Sequence, residues 1–533
     1  MIAAMLATAV SAFQPAPCAL ENVSSGLDLK HEVHCGWVAV PLRHGSPNGK
    51  SIRLWTARIR ATGPKALEDP ILYINGGPGI ATVEEIVPYL AEIKFMTMLR
   101  QGRDVIVFDQ RGSGRSEDSL CPDLAKRLNA IEAEGLDPVK EDDRSRAAFA
   151  TCRAQLQRVG ADLEAYTTSA TVLDLETLRQ AFGVKQWNLL SISYGSLVAM
   201  HAMRTWPNSI RSAILNSPYP PNSVSWAEQA SSAAAAYTAI DRQCAAQPAC
   251  FKRFGALVPK LEATLARLER TPLRDGKKVI TGRQLAKALW PMAVRSSTVR
   301  FVPLAIDRAH SGDAATIKQM VAKYASGDSF GGYSPAQGIA ITCHESGRTT
   351  EWYARARALY PALVSAAPDD GSDRLCATFR PGFADPSFFA PVASAIPTLI
   401  YAGSLDPATP TVDAYQAMRF LTRGTLVEVE GGAHGPMGID ECTRGIAAAF
   451  LANPSVQPDR ACIAKRAPIQ FATMGLDELL KPSTGTPKKN SEVVNPGHSE
   501  EGPGSFNHQT FIPFILAAPA STAASSVSLA RWL

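Results

Sequence analysis

Ser193 lies among small residues in the run Leu189-Leu190-Ser191-Ile192-Ser193-Tyr194-Gly195-Ser196. An apolar, strand-like stretch from Gln186 to Leu190 leads into it, and an apolar, helix-like stretch from Leu197 to Trp206 follows at once. Strand, sharp turn and helix are the context that exposes a serine hydroxyl above a parallel sheet as a nucleophile, usually written Gly-x-Ser-x-Gly. Ser191 stands at the first glycine, and the next smallest side chain is a mild departure there. A hydroxyl is a poor nucleophile near neutral pH. It needs a base for its proton and donors for the oxyanion that forms. Chemistry of this kind orders its residues serine, acid, histidine along the chain. Downstream, Thr398-Leu399-Ile400-Tyr401-Ala402-Gly403 reads as a strand, and Asp406 follows in the loop beyond it. Thr425 to Glu430 reads as the next strand, followed by Gly431-Gly432-Ala433-His434-Gly435. Asp406 and His434 therefore stand past consecutive strand ends, in the required order. Each has a plainer reading: Asp-Pro commonly opens a turn, and one loop histidine among nine is usually just solvated. The joint order and the glycine-rich setting favour a Ser193–His434–Asp406 triad.

The donors are sought in two places. One is the backbone N–H after the nucleophile, on Tyr194, and the other is a loop after an earlier strand. Ile71-Leu72-Tyr73-Ile74-Asn75 reads as a buried strand and runs into Gly76-Gly77-Pro78-Gly79. Glycine lets backbone approach a ligand closely, so Gly77 is the expected second donor.

These motifs carry a resemblance. Asn75-Gly76-Gly77-Pro78-Gly79 resembles the His-Gly-Gly-Pro-Gly motif of prolyl aminopeptidases, and Asp109-Gln110-Arg111-Gly112-Ser113-Gly114-Arg115-Ser116 resembles the signature that accompanies it. Asp406-Pro407-Ala408-Thr409-Pro410 and the late cysteines are similar to the C-terminal part of secreted tripeptidyl aminopeptidases. The likeness runs from about Cys35 to Cys462. It departs at Asn75 and Ser191, neither of which would carry chemistry. It implies an α/β-hydrolase fold, a mostly parallel central sheet flanked by helices. It also implies removal of one or a few residues from a free peptide N-terminus, with no metal or organic cofactor. Such an enzyme must hold an ammonium group in a partly dry pocket, which takes carboxylates or carbonyls. Prolyl aminopeptidases use glutamates of a cap for this. Glu345, in Ile341-Thr342-Cys343-His344-Glu345, is the candidate, with a solvated surface glutamate as the plain alternative.

The elements that must position these residues are strands near Trp37–Leu42, Ile52–Ile59, Ile71–Asn75, Val105–Asp109, Gln186–Leu190, Ser212–Asn216, Pro397–Ala402 and Thr425–Glu430. They divide the chain into a first core part, 30–216, and a second, 396–480. Between the sixth and seventh strands, 217–395 carries helix-period runs such as Ala256–Leu268 and Gly282–Val294, expected to form a helical cap. Residues 1–12 resemble a secretory signal ending at Val10-Ser11-Ala12, without a basic n-region. Residues 481–533 are rich in Pro, Gly, Ser, Lys and Glu, without period, and read as a disordered tail. The apolar Phe511-Ile512-Pro513-Phe514-Ile515-Leu516 within it is too short to span a bilayer.

The ten cysteines, taken in chain order, pair as Cys18–Cys35, Cys121–Cys152, Cys244–Cys250, Cys343–Cys376 and Cys442–Cys462. Sequence leaves the connectivity open. Disulfides suit an oxidising compartment, so a periplasmic or secreted protein is expected. A net charge of +5 over 533 residues is too dilute for a nucleic-acid or membrane surface; the expected partners are peptides with a free N-terminus, and the oligomeric state is not legible. An esterase on the same scaffold, or a catalytically dead fold serving as a binding module, are the alternatives. Halide and epoxide hydrolysis would need an aspartate where Ser193 stands.

Overall fold

A computed structural model describes residues 12–481 apart from the short stretches 21–22, 24–27, 47–48, 91–92, 118–119, 224–228, 326–331, 346–350, 367–371 and 380–381. The expected signal segment and tail, including Phe511 to Leu516, lie outside the described residues except for Ala12 and Lys481.

The strands are β1 (Gln14–Pro15), β2 (Val33–Pro41), β3 (Ser51–Ile59), β4 (Leu67–Ile74), β5 (Arg103–Phe108), β6 (Trp187–Ser193), β7 (Ile210–Pro218), β8 (Leu273–Asp275), β9 (Lys278–Ile280), β10 (Thr398–Gly403) and β11 (Gly424–Val429). Nine of them form one sheet in the order β1-β2-β3-β5-β4-β6-β7-β10-β11, and β8 and β9 form a separate hairpin. The pairs from β5 through β11 are parallel, while β1, β2 and β3 join antiparallel at one edge. All eight strands expected from sequence are present, within a few residues at their ends. The central strands are continuous apolar runs because both sheet faces are covered. Leu72, Ile74, Ile106, Phe108, Leu189, Ala213 and Ile400 pack on one face. Their sequence neighbours Ile71, Tyr73, Val105, Val107, Leu190, Ile214 and Leu399 pack on the other, as the two-residue side-chain period requires.

Two longer helical excursions leave the sheet. Between β7 and β10 the run from Gln229–Ala245 to Ser372–Phe379 includes the two helices read from sequence, at Leu257–Arg270 and Gly282–Val294. A second excursion, not separated from the first core part by the sequence reading, lies between β5 and β6. Its helices Leu124–Ala133 and Pro138–Arg158 bury Leu124, Leu128, Phe149 and Leu156 against Ala336, Ile339 and Phe379 of the later run. The sequence reading missed it because much of Pro138–Arg158 is charged all round, which blurs the 3.6-residue period. The five cysteine pairs are those expected in chain order.

The Asp109–Ser116 loop ties this scaffold together. Asp109 accepts hydrogen bonds from the N–H groups of Val83 and Arg115, both at 2.9 Å, and burial pushes its carboxyl up to about 7. Arg111 is fully buried. It donates to Asp174 Oδ2 through Nε at 2.8 Å and to Oδ1 through Nη2 at 2.6 Å, and to the carbonyls of Leu42, Ala165 and Pro41. All five guanidinium donors are thus used. Removing one partner of such a pair strands the other charge in the interior, at about 3–5 kcal/mol. Arg111→Ala is therefore expected to lower unfolding stability by about that amount, read from the urea midpoint. An unchanged midpoint would refute the structural role given to this pair.

Candidate active site

Ser193 ends β6 and precedes the helix Tyr194–Thr205, with φ 56° and ψ −130°. Left-handed backbone at a residue with a Cβ costs on the order of 1–3 kcal/mol, so the packing around it must impose the turn. The neighbours show how. A Cβ at Gly195 would fall 2.2 Å from Ile74 O, and one at Gly76 would fall 3.0 Å from Ser193 Cβ. Only glycine lets the β4 loop and the elbow approach this closely. Ser191, where the motif usually has glycine, is buried and donates to Ile214 O at 3.0 Å, so its hydroxyl is accommodated by the neighbouring strand. Ser193 Oγ is buried and makes no hydrogen bond among the described residues.

Asp406 and His434 meet beyond β10 and β11. The two loops are laced by Leu405 N donating to Gly432 O at 2.9 Å and Gly431 N to Ser404 Oγ at 2.9 Å. His434 Nδ1 lies 2.8 Å from Asp406 Oδ2. Asp406 Oδ1 accepts from the N–H groups of Ala408 (2.8 Å) and Thr409 (3.0 Å), and Oδ2 from the hydroxyls of Ser217 (2.7 Å) and Thr409 (3.0 Å). Burial opposes the Asp406 charge, but His434 and these hydrogen bonds outweigh it and hold the carboxyl below the ordinary carboxylate range. The helical run between β7 and β10 reaches this loop too, since His434 N donates to Val294 O at 3.0 Å.

Ser217 links this pair to the elbow. Its hydroxyl donates to Asp406 and accepts from Gly435 N at 2.8 Å, while the next residue, Pro218, is in register with Ser193. A Cβ at Gly435 would lie 2.9 Å from Ile192 Cδ1. Ser193, Asp406 and His434 thus lie at or just beyond the C-terminal ends of β6, β10 and β11, on the side of the sheet where open parallel sheets place their ligands. The loop carrying Gly77 packs against the start of the elbow helix, whose first residue is Tyr194. Glu345 ends the helix Pro335–Glu345. It accepts from Thr168 N through Oε1 at 2.8 Å and from Thr168 Oγ1 through Oε2 at 2.7 Å. Burial pushes its carboxyl up to about 8, against the lowering effect of those bonds. Its side chain is partly buried and held by two hydrogen bonds rather than freely solvated.

Ser217, Thr409 and Thr168 escaped sequence reading. A serine at a strand end or a threonine at a helix start carries no local signal. Only the Asx-turn pattern Asp406-x-x-Thr409 was available in the sequence. Among the described residues no three His, Cys, Asp or Glu side chains cluster as metal ligands, and no helix is long and apolar enough to cross a membrane.

Residues 69–243 match the family model described as alpha/beta hydrolase fold, and residues 364–462 the one described as TAP-like protein. Together with the sheet order and the elbow, these matches show an α/β-hydrolase fold. By sequence, the chain is similar to named peptidases. It is 28% identical over 200 residues to the tripeptidyl aminopeptidase of Streptomyces coelicolor, a match covering 37% of each chain. It is 26% identical over 198 residues to the serine protease Hip1 of Mycobacterium tuberculosis, covering 35% of this chain and 36% of that one. A proline iminopeptidase of Lactobacillus delbrueckii is 26% identical over 165 residues, or 31% of this chain and 40% of its own. The chain therefore spans under half the length of these relatives. Among solved structures, the proline iminopeptidase of Mycobacterium smegmatis aligns over 78% of this chain and 98% of its own, with a TM-score of 0.37 and 16% identity.

Proposed function

We propose that this protein is an exported serine aminopeptidase that releases one or a few residues from free peptide N-termini. The observation that carries the reading is the buried Asp406–His434 pair, joined through Ser217 to the strained elbow at Ser193. The TAP-like match and the peptidase relatives support the substrate class, and five cysteine pairs support an oxidising compartment.

In this reading Ser193 Oγ attacks the scissile carbonyl carbon while His434 Nε2 takes its proton. Asp406 holds the Nδ1–H tautomer and stabilises the imidazolium. The backbone N–H groups of Tyr194 and Gly77 receive the oxyanion. His434 then passes the proton to the leaving amine, and the C–N bond breaks to give a Ser193 ester. Water attacks that ester as His434 takes the water proton, which returns to Ser193 on release of the acid. The helices of 217–395 act as the cap that shapes the pocket, and Glu345 receives the substrate ammonium.

Three chromogenic substrates test this: a free-amine prolyl or tripeptidyl anilide, its N-acetylated twin, and a short-chain nitrophenyl ester. Cleavage confined to the free-amine anilide is expected. Ester cleavage alone would make the protein an esterase, and silence on all three would leave a binding module. Glu345→Gln keeps the shape but removes the carboxyl that a bound ammonium group, by favouring the ionised form, draws into its charged state. It is expected to raise KM for the free-amine anilide about tenfold, the value of one charge-assisted hydrogen bond. An unchanged KM would remove Glu345 from the site.

A further inference from the structure

The helix Pro335–Glu345 touches the loop that carries Gly77 and reaches the side chain of Tyr194 through Thr168. Beside its N-terminal end, Ser334 N donates to Gly79 O at 2.8 Å, and Tyr333 bridges to Ile80. Further along, Gly338 sits so close to the same loop that a Cβ would fall 3.0 Å from Pro78 O. At the C-terminal end, Glu345 grips Thr168 through both carboxyl oxygens, and Thr168 Oγ1 lies 2.7 Å from Tyr194 Oη. Thr168 opens the helix Thr168–Ala181 and Tyr194 opens the elbow helix, and both are buried. A threonine hydroxyl has one proton. Donating it to Glu345 leaves Thr168 Oγ1 to accept from the Tyr194 phenol, so the relay runs Tyr194 to Thr168 to Glu345. The Cys343–Cys376 disulfide ties the Glu345 end of this helix to Ser372–Phe379.

We propose that Thr168 and Glu345 are positioning residues for the oxyanion hole, with the helix Pro335–Glu345 bracing the Gly77 loop at one end and Tyr194 at the other. The inference rests on the serine-hydrolase reading above and extends it. An oxyanion donor works only when its N–H is aimed, at 2.7–3.1 Å, where charge develops. A displacement of about 1 Å can cost roughly a hundredfold in rate. The relay fixes the side chain of the very residue whose N–H must be aimed. Cutting it leaves the buried Tyr194 hydroxyl without its acceptor, a state the surroundings relieve by shifting.

The test uses nitrophenyl acetate, which has no ammonium group for Glu345 to read, and the rate of Ser193 phosphonylation by a fluorophosphonate. Thr168→Val is expected to lower kcat about tenfold or more, with KM within about twofold, and to slow phosphonylation in proportion. Thr168→Ser, which restores the hydroxyl, is expected to recover most of that loss. Should the valine variant fold poorly on thermal melting, Tyr194→Phe cuts the same relay from its other end, with the same loss expected. Full kcat in either relay-cut variant, or no rescue by serine, would overturn the inference. Persistent turnover by Ser193→Ala would instead remove the parent reading, and the brace with it.

Discussion

Ser193→Ala is expected to lower kcat on any cleaved anilide or ester by about 10⁶, down to the background supplied by binding and the oxyanion donors alone. It should also abolish covalent labelling by a fluorophosphonate. The fold should not suffer. Ser193 Oγ is buried and makes no hydrogen bond among the described residues, so the change deletes a desolvated hydroxyl and no hydrogen bond. Alanine also meets the same backbone requirement at φ 56°. The melting temperature is therefore expected to stay level or rise. A variant that loses activity and melts well below the parent would mean that Ser193 is a structural residue. The pairing of a large kinetic loss with no loss of stability separates nucleophile from scaffold, since a hydroxyl kept for packing would show the reverse.

Asp406→Asn is expected to lower kcat by about 10⁴ with little change in KM, and the structure says why. Oδ1 accepts two backbone N–H groups, from Ala408 and Thr409, so the asparagine must keep its carbonyl oxygen on that side. Its NH₂ then occupies the place of Oδ2 and donates toward His434 Nδ1, which Oδ2 faces at 2.8 Å. The imidazole proton is forced onto Nε2, the nitrogen that must be free to take the Ser193 proton. The same NH₂ meets two hydroxyls, of Ser217 and Thr409, that now donate to Oδ2. Steady-state kinetics on the anilide decide the matter, and a loss below about tenfold would show that Asp406 does not orient His434. There is a pH counterpart. The Asp406 carboxyl is held below its ordinary range, so its stabilising effect is complete above the unfolded value of about 3.9. That effect fades as the pH falls from there toward the lower folded value, below which it is gone.

The sheet was legible because its strands are buried on both faces. Apolar runs such as Ile71–Ile74 and Val105–Phe108 stand out against the glycine-rich loops that end them. The positions of Ser193, Asp406 and His434 were legible for a related reason. Nucleophile elbow, strand-end acid and glycine-flanked histidine are local patterns, and chain order does the rest. The chain-order pairing of the cysteines could be written down from the sequence, but the geometry was needed to choose it over the other connectivities. The excursion between β5 and β6 was not legible. The charge-rich helix Pro138–Arg158 buries only part of its surface, and what covers Phe149 is Phe379, far away in the chain.

What the sequence determined by itself is the set of short-range commitments. These are where strands end and in what order Ser193, Asp406 and His434 follow those ends. Each depends on neighbours a few residues away, so each leaves a local trace. What only the tertiary structure decided is which polar groups meet. Ser217 reaches Asp406, Arg111 spends all its donors around Asp174, and Glu345 grips Thr168 beneath Tyr194. A hydrogen bond between residues far apart in the chain depends on where two elements are packed. No pattern of residue types along either one records that.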